Sequence, residues 1–205
     1  RTKERAEKSA GHITSITGCP LPEAYSLDLS EYHSIDIFSS NLIEKGIKLD
    51  VLINNAGYLK MKKEVNSLNL DMSMAVNYLG TSRLTNLLLP LINKGGRIIN
   101  VSSSTSAQGD INGNDLFLEK NWEGFKAYFN SKQLLNLYTR KLASDLLSQG
   151  ITVNALHPGN IVTNIWNLWP ENRVLNFLIG LIEKTGILSA ERGAKTSVYL
   201  ATSPD

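Results

Sequence analysis

Tyr128 and Lys132 lie four residues apart in Tyr128-Phe129-Asn130-Ser131-Lys132. Apolar spacing around them predicts an amphipathic helix from about Glu123 to Leu147, and residues four apart on a helix point the same way. A phenol and an ammonium can then share one ligand. Free tyrosine ionises at about pH 10, and a cation a few ångströms away favours the phenolate, moving the group toward the range where proton exchange with a substrate oxygen is efficient. Lys132 is thus a candidate activator of Tyr128. Spacing alone is weak support, because chance produces it often and a half-buried tyrosine beside a solvated lysine is the commoner outcome. The case rests on what surrounds the pair.

The rest of the chain must supply a scaffold for that pair. Arg1 to about Ala10 suits a short helix, and Tyr25-Ser26-Leu27-Asp28-Leu29 reads as a short strand. Ile35, Phe38, Leu42 and Ile43 fall at helical spacing before a closing Gly46. Leu49–Ile53 is an apolar run too short for a helix and is expected to be a strand buried on both faces, ending in the turn Asn54-Asn55-Ala56-Gly57. A helical pattern from about Glu64 to Asn93, broken at Pro90, precedes the strand Arg97–Val101. Ser102 to Trp122 is polar and reads as a long functional loop. After the Tyr128 helix come the strand Ile151–Leu156, the turn His157-Pro158-Gly159, and helical stretches near Val174–Ile182 and Glu191–Leu200.

Strands alternating with helices predict a doubly wound parallel α/β sheet, here as one domain over residues 1–205. In such sheets ligands bind beyond the carboxyl ends of the strands. Asp28, Asn54–Gly57, Ser102–Ser104 and His157–Gly159 follow the apparent strands and are expected to line one crevice.

Composition narrows the function further. The 205 residues carry 21 basic and 19 acidic side chains, a formal net charge of +2, without the long basic block that would track a nucleic acid backbone. Nucleic acid is not expected as a partner. One cysteine, Cys19, excludes an internal disulfide and reads as a loop thiol, and three scattered histidines give no metal spacing. No apolar stretch is long enough to span a bilayer as a helix.

Asp50–Gly57, Val76-Asn77 with Gly80, Asn100-Val101-Ser102-Ser103, Tyr128–Lys132 and His157-Pro158-Gly159 together resemble the ordered motifs of the short-chain dehydrogenase/reductase family. Lys126–Leu134, Leu137–Ala143 and Ile151–Gly159 are similar to its retinol-dehydrogenase and WW-domain-containing-oxidoreductase branch. That resemblance implies hydride transfer between a nicotinamide cofactor and a lipophilic alcohol or carbonyl such as a retinoid or steroid. It also implies roles. Tyr128 would exchange the proton, Ser103 would hold the substrate oxygen, Lys132 would bind the nicotinamide ribose and lower the tyrosine pKa, and Asn77 would hold a relay water. Ser102 and Ser104 stay open as alternatives to Ser103.

For the cofactor, the resemblance implies contacts from Asp28 and Leu29, Asn55, Ala56 and Gly57, Tyr128 and Lys132, Pro158 and Gly159, and Thr163. Asp28 could equally cap a turn. Arg1 falls where the branch places an arginine for the 2′-phosphate, which favours NADP(H) over NAD(H), though a cation at an exposed helix end is an equal reading. His157 reads as a local hydrogen-bonding residue, and Trp166 and Trp169 stand either in the core or in a substrate lid. Such proteins often pair through their long helices, which leaves a homodimer open, and they act inside the cell, in the cytoplasm or with an organelle such as the endoplasmic reticulum.

The sequence departs from the family in one respect. No T-G-x-x-x-G-x-G turn precedes the first helix, and the chain opens at Arg1-Thr2-Lys3 without methionine. It therefore reads as part of a longer protein, with membrane association expected only through segments it does not contain. A noncatalytic interaction protein that keeps the fold is the competing reading, and a sugar-nucleotide epimerase with the same Tyr and Lys pair is a third. The Asn-Asn-Ala-Gly turn argues against the epimerase.

Overall fold

The computed structural model describes residues 2–111, 115–159 and 189–204. Helix α1 (Lys3–Thr17) is capped by the Thr2 side chain and ends where Gly18 takes φ 70° and its N–H bonds the Thr14 carbonyl. It outruns the expected boundary near Ala10, running through Gly11 to the left-handed stop at Gly18. Helix α2 (Tyr32–Glu44) buries Ile35 and Leu42 and closes at Gly46, φ 63°.

The expected strand at Tyr25–Leu29 is not formed. Its apolar side chains Tyr25, Leu27 and Leu29 pack on the cluster of Ile35, Leu42, Leu84, Leu88 and Leu91, but the backbone joins no sheet ladder among the described residues. Packing satisfied the side chains, whereas a strand needs a partner for its N–H and C=O groups.

Three parallel strands, β1 (Leu49–Asn54), β2 (Ile92–Val101) and β3 (Thr152–Leu156), pair in the order β1-β2-β3. Asn54 sits opposite Asn100, and Val101 opposite Leu156. The carboxyl ends of all three strands therefore meet at one edge. Ile98 and Val153 face Leu142 and Leu146 of helix α5 (Gly124–Leu146). Ile99, Val101 and Leu156 face the other way, onto Leu200 and Ala201 of helix α6 (Ala190–Thr202). Helices thus cover both faces, the doubly wound arrangement. Strand β1 is not buried on both faces, as its run of apolar residues suggested: Ile53 is 44% exposed, because β1 pairs on one side only within the described sheet.

The helical pattern expected from Glu64 starts later. Asn66 accepts hydrogen bonds from the Leu68 and Leu70 amides, and Asp71 accepts from Ser73 N at 2.8 Å and Met74 N at 3.2 Å. The Asn66 turn competes with helical backbone bonds, and the Asp71 cap sets the helix start at Met72. The helix runs as α3 (Met72–Met74), a π-helical turn (Ala75–Gly80), α4 (Thr81–Leu88) and a 3₁₀ turn (Leu89–Leu91). Gly80 is required by a close approach: a Cβ there would collide with the Leu29 carbonyl oxygen and sit 2.8 Å from the Ala75 oxygen. Gly80→Ala is expected to cost about 2–3 kcal/mol by overpacking. Chemical denaturation reads this directly, and an unchanged midpoint would mean that the Leu29 segment shifts freely.

Candidate functional site

Each strand hands the chain to a polar segment at the same edge. From β1 emerge Asn55, Ala56 and Gly57, all exposed. From β2 emerge Ser102 and Ser103, and from β3 His157, Pro158 and Gly159, the last with φ 91°. A glycine suits that left-handed value, at which side chains are strained.

Helix α5 brings Tyr128 and Lys132 to this edge on one face, as expected. Lys132 is 3% exposed, and its Nζ stands 5.8 Å from the Tyr128 ring centroid. Nζ donates to the Val101 carbonyl at 2.8 Å. That is its one hydrogen bond among the described residues, although an ammonium carries three N–H groups. Burial pushes its pKa down to about 8. The remaining N–H capacity, held dry, suits a ligand rich in hydroxyl groups.

Tyr128 corrects one expectation. Its phenol is pushed above the ordinary tyrosine value by burial, with a hydrogen bond from Ser103 pulling the other way. Attraction to Lys132 does not dominate, because desolvation of a mostly buried phenol disfavours the phenolate. Without ligand the tyrosine is therefore a held acid.

The three candidate serines sit differently. Ser103 Oγ lies 2.9 Å from Thr105 Oγ1, and of the three it is the one that lowers the Tyr128 pKa. Ser102 is buried with its hydroxyl toward the Lys132 carbonyl at 3.5 Å, and Ser104 is exposed in the 3₁₀ turn Ser104–Gln108.

Asn77 lies in the π-helical turn, 1% exposed. Its Nδ2 donates to the Tyr58 carbonyl and to Ser131 Oγ, both at 2.9 Å, while its Oδ1 accepts from Tyr58 N at 2.7 Å. Ser131 passes on a hydrogen bond to the Tyr128 carbonyl at 2.7 Å. Asn77 thereby braces the turn after Gly57 against the Tyr128 helix, and π-helical turns often occur at such sites. A Cβ on Gly57 would lie 3.9 Å from both Asn77 Oδ1 and Lys132 Nζ. The bare glycine leaves a cradle between them.

Asp28 takes the turn reading. Its Oδ1 accepts from Ser30 N at 3.0 Å and Ser30 Oγ at 2.6 Å, and its own N–H donates to Ser34 Oγ. Leu29 is placed by its carbonyl, which packs on Gly80. Arg1, Thr163, Trp166 and Trp169 lie outside the described residues.

Sequence reasoning missed a buried polar chain behind the site. Asn54 Nδ2 donates to Thr85 Oγ1 at 2.9 Å and Asn100 Oδ1 at 2.8 Å, and Asn100 Nδ2 donates to Thr139 Oγ1 at 2.8 Å. It ties the ends of β1 and β2 to α4 and α5. Asparagines closing two apolar strands were its signal. Sequence reasoning also missed Asp71, whose Oδ2 accepts from Trp122 Nε1 at 2.7 Å and so ties the Asn77 helix to the start of α5. A cleft of about 260 Å³ opens beside it, lined by Lys63, Asn69, Leu70, Asp71, Phe117 and Glu119. Its lining is separate from the Tyr128 cluster.

A family model described as short chain dehydrogenase matches residues 1–173. Human retinol dehydrogenase 14 is 34% identical over 220 residues, covering 100% of this chain and 66% of that protein. The chain thus spans about two thirds of that relative's length. Among solved structures, an uncharacterized protein from Mycobacterium paratuberculosis superposes with a TM-score of 0.74 at 26% identity, covering 100% of this chain and 66% of that one. A short chain dehydrogenase from Burkholderia cenocepacia in complex with NADP gives 0.61 at 25% identity, covering 79% and 62%.

Proposed function

Because this chain belongs to the short chain dehydrogenase family, in its retinol-dehydrogenase-like branch, we propose that it is an oxidoreductase acting between a nicotinamide cofactor and a lipophilic alcohol or its carbonyl partner. The observation that carries this reading is the buried and under-bonded ammonium of Lys132, 5.8 Å from the Tyr128 ring on the same helix face.

The cofactor supplies or accepts the hydride. Lys132 and the Gly57 cradle would hold its ribose, with Asn55, Ala56, Pro158 and Gly159 along the same edge. Ser103 would donate to the substrate oxygen, and Tyr128 would give that oxygen its proton in reduction and take it back in oxidation. Asn77 fixes the spacing of the Gly57 turn and Ser131, and its Oδ1 keeps a second lone pair for a relay water. NADP(H) is the favoured cofactor, from Arg1 and from the NADP complex of a structural relative. A retinoid or steroid is the favoured substrate class, from the retinol dehydrogenases similar to this chain.

The test is nucleotide binding and aldehyde reduction, with retinal and a water-soluble aldehyde, by this chain and by a form extended at its amino end. Turnover with preference for NADPH supports the whole reading, and turnover with NADH alone removes the cofactor preference. If neither form binds a nucleotide, the noncatalytic interaction protein is correct instead.

Gly57→Ala provides a finer check. The new methyl meets its neighbours at an ordinary 3.9 Å, so folding stability is expected to stay within about 0.5 kcal/mol. It occupies the cradle, however, so nucleotide affinity should fall about tenfold, as expected for roughly 1.4 kcal/mol of lost contact. Calorimetric titration beside a thermal melt separates the two effects, and unchanged affinity would remove Gly57 from the cofactor site.

A further inference from the structure

The loop that follows the Gly57 turn carries a feature the proposed chemistry does not use. Leu59-Lys60-Met61-Lys62-Lys63 puts three exposed lysines within four residues. None of the three has an ion-pair or hydrogen-bond partner among the described residues. Exposed apolar side chains accompany them: Met61 at 47%, Val65 at 44% and Leu68 at 54%, with Phe117 at 37% on the neighbouring loop. Lys63 and Phe117 line the same cleft, which places the two loops side by side.

This loop is held in place. A Cβ on Gly124 would collide with the Lys60 carbonyl oxygen and lie 3.1 Å from Met61 Cα, so the loop rests on the first residue of α5. Its start is fixed by Tyr58, whose N–H bonds Asn77 Oδ1 at 2.7 Å. The patch therefore adjoins the first turns of the helix that carries Tyr128. Nearby acids are held by neutral partners and pair with none of the three lysines among the described residues, though they keep their charge and lower the net positive charge of the patch. Glu64 is engaged by the Tyr58 hydroxyl, Asp71 is buried in its cap under Trp122, and Glu31 is drawn to Ser67, leaving Glu119 across the cleft.

We propose that the Lys60–Leu68 loop, with Phe117, is a docking surface for an anionic lipid bilayer beside the mouth of the candidate active site. Unpaired ammonium groups match anionic headgroups, and apolar side chains among them can enter the headgroup boundary, a combination a soluble polyanion would use only in part. No described helix is long and apolar enough to cross a membrane, so the contact is peripheral. It moves the expected membrane contact onto this chain's own residues. Its purpose, delivery of a bilayer-dissolved alcohol to Tyr128, rests on the proposed function, but the contact itself does not.

The test is co-sedimentation of the full chain with vesicles of phosphatidylcholine alone and of phosphatidylcholine with phosphatidylserine. Binding is expected to the phosphatidylserine vesicles, weakening as salt is raised. Each lysine near such a surface contributes about fivefold, so the combined variant Lys60→Glu, Lys62→Glu, Lys63→Glu should bind on the order of a hundredfold more weakly. In a Cys19→Ser background, a polarity-sensitive dye on Met61→Cys should shift to the blue on those vesicles and not on added polyglutamate. Equal binding of wild type and charge-reversed chain overturns the proposal, as does equal binding to both vesicle types. A dye that responds to polyglutamate as it does to vesicles overturns it in favour of an acidic protein partner. The assay contains no substrate, so its failure leaves the oxidoreductase reading intact, while absent turnover of a water-soluble aldehyde counts against that reading alone. These side chains lie outside the catalytic cluster, and the charge-reversed chain should reduce the water-soluble aldehyde at the wild-type rate.

Discussion

Replacing Tyr128 with Phe is expected to lower turnover by roughly 10²–10⁴-fold, the usual contribution of a positioned acid or base, while nucleotide affinity stays nearly unchanged. The substitution keeps the ring, its contact with Phe129 at a centroid distance of 6.4 Å, and Lys132 over its face at 5.8 Å. It removes only the hydroxyl. A phenol pushed above its ordinary value stays protonated through the neutral range. Carbonyl reduction, which needs an acid, should therefore run at neutral pH, and alcohol oxidation, which needs the base, should climb as the solution becomes alkaline. Steady-state rates in both directions across pH check this. Wild-type turnover by Tyr128→Phe would remove the tyrosine from the chemistry, whatever the family.

Lys132→Met has a second large effect, visible in the unfolding of the chain itself. The folded pKa of Lys132 is about 8, against about 10.4 for a free lysine. Between these values the unfolded chain holds a proton that the folded chain has released, so stability rises with pH across that window. Below about pH 8 both states are protonated, and the folded state carries the full cost of a buried ammonium, on the order of 3 kcal/mol. The wild type should therefore gain up to that amount between pH 8 and 10.4 relative to Lys132→Met, in which this gain is absent. Denaturant titrations of both proteins at several pH values give the difference directly, and parallel pH profiles would contradict the burial of the charge. The same substitution should weaken nucleotide binding, since it removes the N–H groups that await a ligand.

The two effects draw on different information. That Tyr128 and Lys132 share a helix face follows from a spacing of four, and the meeting of Asn55–Gly57, Ser103 and His157–Gly159 follows from parallel strands that end together. Both rest on local periodicity, which a sequence displays. Asp28, by contrast, was legible only as an acid after a hydrophobic run. Its carboxylate is turned to Ser30, and the run before it packs without pairing, because a strand depends on a partner elsewhere in the chain.

By itself, then, the sequence determined the doubly wound class, the order of the motifs, and the placing of Tyr128 and Lys132 on one helix face. Tertiary structure alone decided that Asn77 braces the Gly57 turn from a π-helical turn, that Asp71 binds Trp122 across two helix starts, and that the Tyr128 pKa is raised while that of Lys132 is lowered. Spacing along a chain sets the direction in which a side chain points. Hydrogen-bond partners and loss of water are set by segments dozens of residues away, and these fix the protonation of a buried acid and its lysine.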